Sequence, residues 1–208
     1  MRQRTARPCA KLLPGLLAAV VLSACTLPPS EPLPFDKPRG PFISGQPIAK
    51  SKIGAVRQPF VWPMGAYDPA FLSTYQAGLK NKTFRAWEKG HGTQVEFLAA
   101  NGRTYLWYPG NTRAVAGTWE VVAKPIPSRP DLGNRSVEIC VRYGPNTYNP
   151  VTGSRDGSPE CTPIKFYTMV VDEYAPGDPF HLASGKVPFV LDRHSTTLDD
   201  LYAEASGR

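Results

Sequence analysis

Residues 93–108 read TQVEFLAANGRTYLWY, and this stretch decides the fold. Val95, Phe97 and Ala99 alternate with Gln94 and Glu96, so the period is two, as in a strand with one apolar face. Asn101-Gly102 follows, and a second run of strand-forming residues begins at Arg103. Asn-Gly between two such runs predicts a tight hairpin with both turn residues at positive φ.

The pattern continues outward in both directions. Phe84 and Ala86 share a face in the run that starts at Lys82. Beyond the hairpin, Pro109-Gly110-Asn111 is a turn. Val115, Gly117, Trp119 and Val121 then fall on one face of residues 113–122. In residues 136–143, Val137, Ile139, Val141 and Tyr143 point in, while Glu138, Cys140 and Arg142 point out. Residues 164–171 are apolar on both faces and read as a further strand. Residues 187–191 read as an edge strand, because Pro188 cannot donate to a ladder. Two helices flank the strands. Asp68 and Pro69 suit a cap and first turn before the stripe Phe71, Leu72, Tyr75 and Leu79. Thr196-Thr197-Leu198-Asp199 has capping-box character before Leu198, Leu201 and Tyr202. The expectation is a mainly β fold: a small antiparallel sheet, curled or closed into a barrel, with a short helix at each end.

The first 24 residues do not belong to that body. Arg2, Arg4, Arg7 and Lys11 precede residues 12–24, which carry no charge. Thirteen apolar residues are too few to span a bilayer, which takes roughly 20. A basic segment, a short apolar core and small residues at its exit describe an export signal. Leu22-Ser23-Ala24-Cys25 resembles the lipobox of bacterial lipoproteins. The resemblance implies cleavage before Cys25 and acylation of its thiol, giving a membrane attachment through acyl chains. Thr26, in place of an aspartate after the cysteine, favours the outer over the inner membrane by the same resemblance. Seven prolines lie between Thr26 and Pro47, so the next stretch reads as an extended tether. The expected organisation is a signal at 1–24, lipidated Cys25 and tether at 25–56, and one domain at 57–208.

Charge and cysteines narrow the function classes. Four of the 24 basic residues sit in the signal, leaving 20 against 17 acidic ones. A balance of +3, with no basic run interleaved with aromatics, gives no footprint for nucleic acid. Beyond the anchor the mature chain has only Cys140 and Cys161. In an oxidising envelope these are expected to pair, and from its strand position the bridge is expected to hold the 144–160 loop against the sheet's outer face. Redox, zinc and calcium motifs are missing, so no cofactor or metal is expected. His91, His181 and His194 form no ligand pair. Asp172 and Glu173 are neighbours on a strand and are expected on opposite faces.

No catalytic set emerges. The loop between the cysteines is the most distinctive segment, and Tyr148 and Asn149 are its candidate ligand contacts: a ring to stack and an amide to hydrogen-bond, as glycan recognition needs. Gly117-Thr118-Trp119 resembles the Gly-x-Trp of lipocalins, where that motif lies on the first barrel strand. The order Gly-x-Trp, Ile-Cys-Val-Arg-Tyr, Cys is similar to small uncharacterised exported β proteins of Proteobacteria. The expected role is a non-catalytic envelope module that binds a protein, glycan or lipid. The alternatives are an envelope-acting hydrolase or transferase with a dispersed site, and a lysozyme-inhibitor-like lipoprotein.

Replacing Cys25 with alanine should abolish incorporation of an alkyne fatty acid and leave an unprocessed precursor. Normal labelling of that variant would remove the anchor.

Overall fold

The computed structural model describes residues 44–61, 71–126, 135–150, 153–155 and 157–207. The chain divides into two compact units, 1–36 and 37–208, and every described residue belongs to the second. Cys25, the signal, most of the tether and the expected helix start at Asp68 and Pro69 lie outside the described residues.

In chain order the elements are β1 (Ser44–Pro47), β2 (Val56–Val61), α1 (Leu72–Leu79), β3 (Lys82–Glu88), β4 (Gly92–Leu98), β5 (Arg103–Trp107), β6 (Val115–Pro125), β7 (Arg135–Tyr143), β8 (Glu160–Pro163), α2 (Ile164–Val170), β9 (Val171–Pro176) and α3 (Leu198–Ser206). The described strands form one sheet in the order β1-β2-β9-β3-β4-β5-β6-β7-β8. All its pairings are antiparallel. The run from β3 to β8 is a meander of adjacent strands. Helix α2 then carries the chain back to β9, on the far side of β3.

The sheet is curled but not closed into a barrel. Phe84 of β3, Trp119 of β6 and Val137 of β7 share one hydrophobic cluster with Val171 and Tyr174 of β9. Strands that far apart in the sheet order meet only if the sheet bends around that cluster. Among the described residues β1 and β8 remain its two edges and do not pair with each other. Helix α2 packs into the same core through Ile164 and Tyr167. The Gln58 side chain of β2 donates to the backbone carbonyls of Thr168 and Val171 at its end. From the other side α1 fills the concavity with Tyr75 and Leu79, and the Gln76 side chain accepts from the Val121 amide at 3.1 Å.

The opposite face is also covered. Val95, Phe97 and Trp107 form a second cluster with Phe180, Leu182, Leu191, Leu198 and Leu201. The C-terminal segment therefore lies across the outside of β3–β5 and β9. Trp107 is fully buried between the rings of Phe180 and Phe189, and its indole N–H donates to the Phe189 carbonyl at 2.9 Å. Gly92 takes φ +83°, and a Cβ there would stand 2.6 Å from the Arg193 Cα. Only glycine permits both that φ and that approach. Buried Glu173 accepts the Leu198 amide at 2.8 Å, and Thr197 caps the same helix by accepting from the Asp200 amide.

Several expectations change. Residues 164–170 are helix α2, not a strand, because a short apolar run does not itself distinguish the two. Residues 187–191 are an extended cover over Trp107 rather than an edge strand. The Asn101-Gly102 turn spans residues 99–102, closed by a Gly102 amide to Ala99 carbonyl bond of 3.2 Å, and of the two only Gly102 takes positive φ. The folded body starts before residue 57, since β1 pairs with β2 and Ile48, Ile53 and Ala55 pack into the outer cluster. Asp172 and Glu173 do not diverge. The register slips between Arg85 and Ala86, so Asp172 reaches Arg85 at 2.8 Å on the face where Glu173 caps α3.

Cys140 and Cys161 are bonded and are direct cross-strand partners on β7 and β8. The bridge lies on the face opposite Ile139 and Val141, as the alternation requires. The loop it closes does the reverse of the expectation, turning inward over the mouth of the concave face. Reduction should lower stability by up to about 3 kcal/mol in urea unfolding, the loop-entropy value for this length, while strand signal by circular dichroism survives. An unchanged unfolding midpoint would show that the bridge does not constrain the chain.

Candidate functional site

Beneath that loop the concave face opens into a cavity of about 510 Å³. Its floor and walls come from strand register. Glu96, Leu106 and Val115 are successive cross-strand partners on β4, β5 and β6, so they share the concave face. Leu98, Thr104, Gly117 and Tyr143 form the neighbouring row across β4–β7. Ile139 and Val141 extend the wall on β7, and Tyr167 of α2 closes it.

Glu96 is the central group. Its Oε1 accepts from the Tyr143 hydroxyl at 2.6 Å and from the Thr104 hydroxyl at 2.7 Å. No hydrogen bond from the described residues engages Oε2. The carboxylate lines the cavity, and its remaining accessible surface is there. Burial raises its pKa above 4.5, opposed by the two hydroxyl donors. The Tyr143 phenol is pushed well above 10, first by burial and then by the Glu96 charge, and Tyr167 likewise. Both phenols therefore stay protonated, and that of Tyr143 serves as a donor.

Gly117 makes the long reach of Tyr143 possible. A Cβ at this position would lie 2.4 Å from the Arg142 carbonyl and 2.9 Å from Cδ1 of Tyr143. The bare backbone lets the ring pass over β6 toward β4. The glycine of the lipocalin-like Gly-x-Trp thus has a local task here, and its tryptophan donates to the Ala99 carbonyl at 2.9 Å. The motif stands on the sixth strand rather than the first.

The rim is built by the loop and by the β3–β4 turn. Tyr148 and Asn149 both line the cavity. Asn149 donates to the Glu160 carboxylate at 3.0 Å, tying the loop to β8. Tyr148 is half exposed, with the Arg155 guanidinium 4.2 Å from its ring centre. Across the mouth, buried His91 shares a 2.9 Å hydrogen bond with the Tyr108 hydroxyl and sits 3.6 Å from Glu88. His181 and His194 lie elsewhere on the surface. Exposed His194 bonds Asp192 at 2.9 Å, which raises the histidine pKa and lowers that of the aspartate.

Among the described residues, one group of metal-ligating side chains is close enough to hold an ion: Glu138, Cys140 and Cys161. Its two sulfurs are bonded to each other, so it offers no metal set. Asp156, the acidic residue of the loop between the cysteines that precedes Glu160, lies outside the described residues. No described helix is long and apolar enough to cross a membrane. Comparison with family models, curated proteins and solved structures finds no match for this chain.

Glu96 escaped the sequence reading because it alternates with Val95 and Phe97 and so looks solvent-facing. Tyr143 carried a usable signal: an inward tyrosine beside Ile139 and Val141 needs a partner for its hydroxyl.

Glu96 ties stability to pH. Its pKa is higher in the folded state, so the native protein keeps a proton that the unfolded chain releases. That contribution is full below the ordinary carboxylate range and is lost as pH rises through the folded pKa. Glu96→Gln should flatten the decline in unfolding free energy as pH rises through and above the ordinary carboxylate range. A variant that follows the wild-type slope would assign the effect to another group.

Proposed function

We propose that this protein is a lipid-anchored module of the bacterial cell envelope that binds a small ligand in the cavity over β4–β8 and does not transform it. The observation that carries the reading is the cavity itself. Its volume of about 510 Å³ falls in the range of small-molecule sites. Its lining mixes aliphatic and aromatic side chains with polar ones that can fix orientation, among them Glu96, Tyr143 and Asn149. Covers on both faces of the sheet hold those groups on rigid strands, and the disulfide holds the loop that caps them.

The anchor rests on Leu22-Ser23-Ala24-Cys25 and the uncharged run before it. An acyl chain contributes about 0.8 kcal/mol per buried CH₂, so two or three chains keep the domain at the membrane surface. Ligand capture there needs no further partner.

A second reading, an envelope hydrolase, draws on one feature: Glu96, with its raised pKa, shares the cavity with the carboxylate of Glu160. A carboxyl group whose pKa burial raises, in one cavity with a second carboxylate, suits general acid catalysis. Against it, the described cavity wall offers no activated serine or thiol.

Native mass spectrometry of the full-length acylated protein, extracted gently from envelopes, tests both readings. The expected result is a bound small molecule of unchanged mass on prolonged incubation, lost in Val115→Phe, which fills the cavity from β6. Release of a chemically altered molecule would favour the hydrolase. Equal retention by wild type and Val115→Phe would place the ligand outside the cavity.

A further inference from the structure

The charge around the cavity is uneven. Among the described residues, two carboxylates, Glu96 and Glu160, line it, and no lysine does. The one arginine in its lining, Arg155, is exposed on the loop and stacked over Tyr148. Both donors that reach Glu96 converge on Oε1, leaving Oε2 as an acceptor at the floor. Leu106, Val115, Ile139, Val141 and Tyr167 line the same cavity, together with polar groups such as Gln94, Asn146 and Thr162.

We propose that the cavity takes a small organic ammonium ion, its charge seated against Oε2 of Glu96 and its apolar body lying along Leu106, Val115, Ile139 and Val141. The proposal rests on the ligand-binding reading above and names the ligand class for the same site.

Three physical arguments carry it. A buried carboxylate gains most from a partner of opposite charge, and N–H donors to an ionised acceptor are the stronger hydrogen bonds. An anion would meet the carboxylates of both Glu96 and Glu160. Leu106, Val115, Ile139 and Val141 line the same cavity and suit the apolar body of such an ion.

A proton and an ammonium ion then compete for one carboxylate. In the empty site burial favours the proton; a bound ammonium favours the ionised form. Binding therefore releases a proton whenever the empty site is protonated, and affinity falls as pH falls through the Glu96 pKa. The other titratable groups facing this space are Tyr143 on β7, Glu160 on β8 and Tyr167 on α2. His91 and Tyr108 stand at the rim, with Tyr148 and Arg155 on the loop. The two phenols nearest Glu96 stay protonated, so Glu160 and His91 need controls.

The experiment is isothermal titration of the full-length acylated protein in detergent with phenethylammonium, putrescine and benzyltrimethylammonium. N-acetylglucosamine and phenylacetate serve as neutral and anionic comparisons. At least one ammonium probe should bind. Glu96→Gln should weaken it by about tenfold or more with the native circular dichroism spectrum retained, and His91→Gln and Glu160→Gln should weaken it less. Titration in buffers of different ionisation enthalpy should reveal proton release that Glu96→Gln removes. Tighter binding of the sugar or the anion, lost in Val115→Phe, would overturn the ammonium assignment and leave the ligand-binding reading standing. Ammonium binding that is indifferent to Glu96→Gln would overturn the assigned contact. No binding by any probe, together with no molecule retained in native mass spectrometry, would overturn both.

Discussion

Phe84 on β3 and Trp119 on β6 lie in one hydrophobic cluster, although β4 and β5 separate their strands in the sheet. That enforced meeting is the constraint on which the rest depends. A flat sheet of this width would leave the two rings on the same face but far apart. Curling brings them together around Tyr75 and Leu79 of α1 and leaves a concave space toward the β5–β8 side. The same bend carries Tyr143 of β7 within 2.6 Å of Glu96 on β4, so the principal contact of the site follows from how the core closes.

The second cover has a different consequence. An antiparallel sheet can leave one face to water, but here the C-terminal segment buries the outside of β3–β5 and β9. Val95, Phe97 and Trp107 are consumed by that outer layer. Glu96, set between Val95 and Phe97, must then face inward. Covering the outer face is what places a carboxylate in the concavity, where desolvation raises its pKa. The cost of burying it is offset by the hydroxyls of Tyr143 and Thr104.

The loop between the cysteines joins these layers to function. The disulfide fixes its ends on adjacent strands from the outer side, and the Asn149–Glu160 hydrogen bond ties it from the inner side. Its middle is thereby held over the cavity mouth, with Tyr148 and Arg155 stacked at the entrance. A capped cavity with the Glu96 carboxyl at its floor, on a chain whose N-terminal stretch resembles a lipobox, is the combination behind the proposed envelope ligand-binding role.

The sequence by itself determined the local elements: the hairpin around Asn101-Gly102, the alternation on β6 and β7, the Thr197 cap and the pairing of two lone cysteines. Each depends on residues near one another in the chain, or on a count that allows one answer. It also singled out Tyr148 and Asn149, because a polar, glycine- and proline-rich loop has no core to build. Only the tertiary structure decided which face of β4 is the inside. Alternation gives the period of a strand, not the layer that will cover each side, and the covering segment lies some 80 residues further on. For the same reason residues 164–170 could not be read as helix: their apolar side chains fit either form until α2 had to bridge from β8 back to β9. Glu96, Tyr143, Gly117 and Tyr167 stand on four separate elements, with nothing in their spacing to link them. Their meeting is a product of the curl, and so is the site.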